Sequence, residues 1–120
     1  HREPLAQQSI ALLKSLPNFE GTSLIFPGEN GMMSDMTLTS CLRKMRLGVT
    51  VHGFRSTFRQ WAAEQTSYSR EVCELALAHT VGSQVEAAYQ RSDLLEKRAA
   101  LMREWANYCY SNISPHLGTP

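Results

Sequence analysis

Residues 50–64 read Thr50-Val51-His52-Gly53-Phe54-Arg55-Ser56-Thr57-Phe58-Arg59-Gln60-Trp61-Ala62-Ala63-Glu64, and their periodicity decides the fold class. Phe54, Phe58, Trp61 and Ala62 recur at spacings of four, seven and eight, which is one stripe of an amphipathic helix. Thr50 stands where a capping hydroxyl is wanted, just ahead of that stripe. The same pattern continues outward in both directions. Upstream, Ser34 and Asp35 look like a helix start, and Leu38, Cys41, Leu42 and Met45 follow on one helical face until Gly48 stops it. Downstream, Ser69 caps a helix with Val72, Leu75, Ala76 and His79 on one side, and Gly82 breaks it. Ser83 with Glu86 three residues later forms a capping box that opens a short helix ending near Tyr89. Ser92 and Asp93 then start a long amphipathic helix through Leu95, Met102, Trp105 and Cys109.

The ends of the chain are read less sharply. Leu5, Ile10, Leu12, Leu13 and Leu16 suggest a short helix that ends near Pro17, because proline cannot continue one. Residues 18–30 form a loop with at most one short strand around Ser23–Leu24–Ile25–Phe26. Residues 111–120 carry two prolines and a glycine and are expected to trail off as a flexible tail. The fold class is therefore mainly α, with little or no β.

A chain of 120 residues has room for one core, and 42% apolar with 19% charged residues is a globular balance. Its apolar runs are too short to span a membrane. It opens on His1 without a signal segment, so it is expected to be a piece of a longer protein. Cys41, Cys73 and Cys109 are odd in number and form no CxxC pair, which supports reduced thiols and neither a disulfide framework nor a zinc ribbon.

Charge is distributed unevenly. The net charge is only +1, yet between Asp35 and Glu64 there is no acid, while Arg43, Lys44, Arg46, Arg55 and Arg59 all fall there. Such a patch attracts phosphates through charge and counterion release. It could equally be a solvated face pairing with acids elsewhere. Within it, His52 and Arg55 lie three positions apart at a helix start, where backbone N–H groups favour anions. A guanidinium fork matches two phosphate oxygens, and an imidazole moves a proton near neutral pH. Taken singly, such a histidine is as readily a cap or a packed ring. His79 and Tyr89 form a third feature. The turn at Gly82 would carry Tyr89 back toward His79, and a tyrosine needs cationic neighbours or a polarised phosphate to act as a nucleophile. Tyr68, Tyr108 and Tyr110 lack such a setting, and the last two are read as packing residues.

In order, His52-x-x-Arg55, Leu77–Ala78–His79 and Ala87–Ala88–Tyr89 resemble the tyrosine recombinase (phage integrase) family. The stretch from His52 to Glu64, Ala88-Tyr89-Gln90-Arg91-Ser92-Asp93 and His1-Arg2-Glu3-Pro4-Leu5 are similar to its prophage and genomic-island branch. The resemblance covers nearly the whole chain, most firmly residues 50–110. It implies that the chain is the C-terminal part of a single catalytic domain, the helical-bundle portion. His52 and Arg55 match the HxxR pair, His79 the later histidine and Tyr89 the nucleophile; Tyr89 follows His79 by ten positions where many members have nine. The family's first arginine and its hairpin lysine are expected upstream of His1, and neither Lys14 nor Lys44 is promoted to that role.

The resemblance further implies metal-free transesterification with no cofactor. The tyrosine hydroxyl attacks a DNA phosphodiester, forms a 3′-phosphotyrosyl link and releases a 5′-hydroxyl, and a partner strand reverses the step. Implied partners are double-stranded attachment sites, a recombinase tetramer on DNA, and accessory DNA-bending or excision factors, in a bacterial cytoplasm or nucleoid and with no membrane. Arg43, Lys44, Arg46 and Arg59 are the remaining candidates for DNA phosphate. Two other readings stay open. One is a non-catalytic helix-turn-helix module built from helices 34–46 and 53–65, with Arg55 and Arg59 on the recognition helix. The other is a phosphodiesterase using His52 and His79 as acid and base. Metal-dependent nuclease chemistry is disfavoured because the acids are scattered over helical faces.

Overall fold

The computed structural model describes residues 1–79 and 93–111. Gly82, the Ser83–Glu86 capping box, Tyr89, Ser92 and the tail from 112 onward lie outside the described residues. Those described form five helices and one small hairpin: α1 (Gln7–Lys14), β1 (Pro27–Gly28), β2 (Gly31–Met32), α2 (Thr37–Met45), α3 (Val51–Gln65), α4 (Arg70–Ala76) and α5 (Leu95–Ser111). The fold is mainly α. None of the described helices is long and apolar enough to cross a membrane.

The core forms where α3, α4 and α5 meet. Phe58, Trp61 and Ala62 from α3, Val72 and Cys73 from α4, and Leu101 from α5 are buried together. Trp105 packs edge-on to Phe58 at 5.3 Å between ring centroids and lies 5.0 Å from Trp61, with Tyr108 stacked on Trp105 at 5.7 Å. These aromatic pairs add orientation preference to plain burial. Helix α1 lies against α5, with Ala6 buried and Gln8 Nε2 donating to Asn107 Oδ1 at 2.7 Å.

Several expectations need correcting. Phe54 shares the α3 stripe but is 58% exposed, because the first turn of α3 reaches beyond the crossing with α4 and α5. On α2 the periodicity is right, yet Leu38 and Met45 are 50% and 57% exposed, since α3 is the helix it packs against and nothing among the described residues covers its other side. Helix α2 starts at Thr37, after a turn in which Thr37 N donates to Ser34 O at 3.1 Å, and not at Ser34 or Asp35. It ends at Met45 because Arg46 adopts left-handed φ of 56°, two residues before Gly48. The strand is not at 23–26. Instead, two-residue strands pair Pro27 with Met32 and Gly28 with Gly31. Gly28 is required there, since a Cβ would sit 2.7 Å from Met32 O.

On α5 the deepest positions are Leu101 and Arg98, at 0% and 1% exposure, and not the Leu95–Met102–Trp105–Cys109 line. Arg98 is buried because the chain's first residues supply acceptors. Its Nη2 donates to Arg2 O and, at 3.2 Å, to Glu3 Oε2, while Nη1 donates to Asp93 O at 3.2 Å. Arg2 in turn pairs with Asp93 at 2.7 Å. Residues 1–3 are thereby fastened to the start of α5.

Candidate active site

The first turn of α3 is built around its cap. Thr50 is extended, and its Oγ1 accepts from Gly53 N at 2.9 Å. Glycine at 53 suits this cap, because a Cβ there would stand 3.0 Å from the Thr50 hydroxyl. The cap fixes where the helix begins, and so points His52 and Arg55, three residues apart, the same way. Both line a cavity of about 710 Å³ together with Thr39, Leu42 and Arg43 of α2, the 48–51 connection, and Leu77 beyond α4. No acidic side chain lines it. Among the described residues, His52, Arg55 and Arg43 make no hydrogen bond or ion pair. Two guanidinium groups and an imidazole therefore share one open space with the N-terminus of a helix of 15 residues. Chemically this is a receptor for an oxyanion such as a phosphodiester.

His79 is placed by a different device. Helix α4 is capped by Ser69, whose Oγ accepts from Val72 N at 3.3 Å, and it ends at Ala76, three residues short of His79. Ala78 takes left-handed φ of 58°. Ala78 N then donates to Leu75 O at 3.0 Å and His79 N to Glu74 O at 2.8 Å, the paired bonds of a Schellman turn. The imidazole folds back as well, with Nδ1 2.6 Å from Glu74 Oε2. Glu74 Oε1 accepts from Arg59 Nε at 2.8 Å. The hydrogen bond from His79, together with Arg59, holds the Glu74 carboxyl below the usual carboxylate range, so it is ionised and can only accept. His79 consequently donates through Nδ1 and keeps Nε2 for another group.

Not every expected residue joins the cavity. His79 does not line it; its neighbour Leu77 does. Arg59, read from the sequence as a phosphate contact, is engaged by Glu74 and joins α3 to α4. Lys44 and Arg46 lie exposed at the end of α2, and neither makes an ion pair among the described residues. Tyr89 lies outside the described residues. Glu74 is the residue that sequence reasoning missed. Its five-residue separation from His79 is no helical contact spacing, and only the left-handed Ala78 brings the two together. Among the described residues no group of three or more His, Cys, Asp or Glu side chains could hold a metal ion.

Known proteins supply the context. The chain is 33% identical to the integrase of Enterobacteria phage P4 over 98% of its own length, covering 29% of that protein. It is 34% identical to the prophage integrase IntA of Escherichia coli K12 over 89% of its length, covering 27% of that protein. The prophage integrase IntZ of the same strain is 31% identical over 89% of the chain, which covers 28% of it. The chain is thus similar to phage and prophage integrases over most of its own length. It spans less than a third of the length of these relatives. No family model matches the chain, and no solved structure matches it significantly.

Proposed function

We propose that this chain is the C-terminal part of the catalytic domain of a tyrosine-type integrase, and that the whole protein recombines specific DNA sites. The observation that carries the proposal is the acid-free cavity that joins His52, Arg55 and Arg43 at the capped start of α3. The similarity to integrases over nearly the whole chain supplies the reaction class.

In this reading, the scissile phosphate of a duplex attachment site sits in the cavity. Arg55 offsets charge on its non-bridging oxygens as that charge grows in the transition state. The Tyr89 hydroxyl loses its proton and its oxygen bonds to phosphorus. The bond from phosphorus to the 5′ oxygen breaks, and that oxygen takes up a proton. One phosphoester replaces another, so no nucleotide is consumed. His52 assists proton movement and His79 donates a hydrogen bond to a phosphate oxygen. Arg43, Lys44 and Arg46 hold the flanking backbone as salt-sensitive contacts. Four copies assemble on paired sites with accessory DNA-bending or excision factors, on DNA in the bacterial cell. The isolated chain lacks the upstream arginine and lysine and forms no adduct alone, because groups that act as a unit lose most of the rate when one is missing.

The helix-turn-helix reading fares less well. It needs Arg55 and Arg59 free on one recognition helix, and Arg59 is 28% exposed and paired with Glu74. The deciding experiment uses the intact integrase and a nicked attachment-site duplex that traps the covalent product. Wild type should accumulate a phosphotyrosyl adduct, and Tyr89→Phe should give none while still binding DNA. An adduct in the Tyr89→Phe protein would overturn the assignment.

A further inference from the structure

The proposed reaction leaves Glu74 unused, although both of its carboxylate oxygens are engaged. It accepts from Arg59 Nε through one oxygen and from His79 Nδ1 through the other, and its main-chain oxygen accepts from His79 N. Its side chain is only 15% exposed, whereas that of His79 is 55% exposed. One end of the imidazole is thus held on a sheltered, braced carboxylate, while the side chain as a whole is half exposed.

We propose that Glu74 is a positioning residue for catalysis, acting through His79: it holds the ring at Nδ1 and so fixes the direction in which Nε2 points. The inference rests on the recombinase reading above and adds a residue to it. The physical logic is that of any carboxylate behind a working imidazole. Unbraced, the ring would sample several rotamers, and Nε2 would face the phosphate for only part of the time. Held by Glu74 at Nδ1, the ring keeps Nε2 in one direction. Arg59 completes the arrangement from α3, one helical turn beyond Arg55, so the brace also ties His79 to the helix that carries the HxxR pair.

A double-mutant cycle in the intact integrase tests this. Adduct formation on the nicked attachment-site duplex is timed at saturating protein for wild type, Glu74→Gln, His79→Ala and the double variant. Glu74→Gln keeps the side chain's shape and removes its charge. It should slow adduct formation by roughly 10- to 100-fold, the loss found when a carboxylate behind a metal-bound histidine is removed. DNA affinity should stay within about twofold, and the double variant should be no slower than His79→Ala alone. Glu74→Asp provides a second, charge-conserving variant in the same cycle and should lose less than Glu74→Gln. Wild-type rates in Glu74→Gln would overturn the proposal. So would an equal slowing by Glu74→Gln in the His79→Ala background, since Glu74 would then act through the fold and not through the ring. Tyr89→Phe in the same assay separates the two levels: an adduct there defeats the recombinase reading itself, whereas no adduct there with a fast Glu74→Gln defeats only the role of Glu74.

Discussion

Replacing Ala78 by glycine should stabilise the chain, which is unusual for a change to glycine. The reason lies in the turn after α4. Ala78 holds φ of 58°, and its N–H and that of His79 close the Schellman bonds to Leu75 O and Glu74 O. A residue with a Cβ in that conformation carries a penalty of about 1–2 kcal/mol. Glycine removes it but has more freedom to lose on folding, a cost of about 0.5–1 kcal/mol. The net gain is about 0–1.5 kcal/mol, which at a urea dependence of about 2 kcal/mol/M moves the unfolding midpoint up by as much as about 0.75 M. Urea titration by circular dichroism, with the slope unchanged, reads this directly. Ala78→Val serves as the opposite arm, because a β-branched side chain tolerates positive φ poorly, and its midpoint should fall. A lowered midpoint for Ala78→Gly would refute the turn. With it would go the account of how His79 reaches Glu74, because the backbone bond and the ring bond both depend on that one left-handed residue.

Three other outcomes follow from the packing and the ion pairs. Leu101, with no exposed surface at the α5 side of the core, should cost about 2–5 kcal/mol when cut to alanine, read as a lowered urea midpoint; a loss under about 1 kcal/mol would mean that α5 is not seated against α3 and α4 as described. Arg98→Ala should cost about 3–5 kcal/mol because it leaves the Glu3 carboxylate and the Arg2 and Asp93 carbonyls without their buried partner. Arg98→Met should cost less, since it refills the volume and Glu3, 31% exposed, can turn to water. Finally, the Glu74 carboxyl is held below its ordinary value of 4.5 by His79 and Arg59. Its contribution to stability is therefore fully present above pH 4.5 and is lost as pH falls through the lower folded-state value. The gap in stability between wild type and Glu74→Gln should narrow over that acid range, and a gap that stayed constant from pH 6 downward would contradict the pairing.

The sequence made the helices legible and left their depth obscure, for reasons particular residues show. Thr50 and Ser69 act as the caps their positions suggest, because an N-cap bond is local and needs only three residues of chain. The α2 stripe was equally legible as a period, but a period says which side of a helix is apolar and not what meets it, so Leu38 and Met45 read as core and are exposed. Arg98 fails in the other direction. A charged residue is read as surface unless its partners are visible, and here they are His1, Arg2 and Glu3, 95 to 97 positions away. In the site, HxxR spacing and the acid-free charge run pointed to His52, Arg55 and Arg43, because a first-turn pair and a helix-end cation are both local features.

His79 marks the boundary of what local pattern can reveal. Helical periodicity extends the α4 stripe Val72, Leu75, Ala76 to His79, and on an unbroken helix the ring would stand on the core side with no acid five residues back within reach. The chain leaves the helix after Ala76 without a glycine, the usual sign of such an exit, and reverses through a left-handed alanine. That reversal brings the ring onto Glu74, whose other oxygen is held by Arg59 from the middle of α3. The strained residue thus has a physical rationale: the unfavourable backbone conformation at Ala78 is offset by the two hydrogen bonds that His79 makes to one glutamate. The same features that hide His79 from sequence periodicity, a helix stop without glycine and a contact at non-helical spacing, are the ones that bring its ring onto Glu74 and, through Arg59, link it to the helix bearing His52 and Arg55.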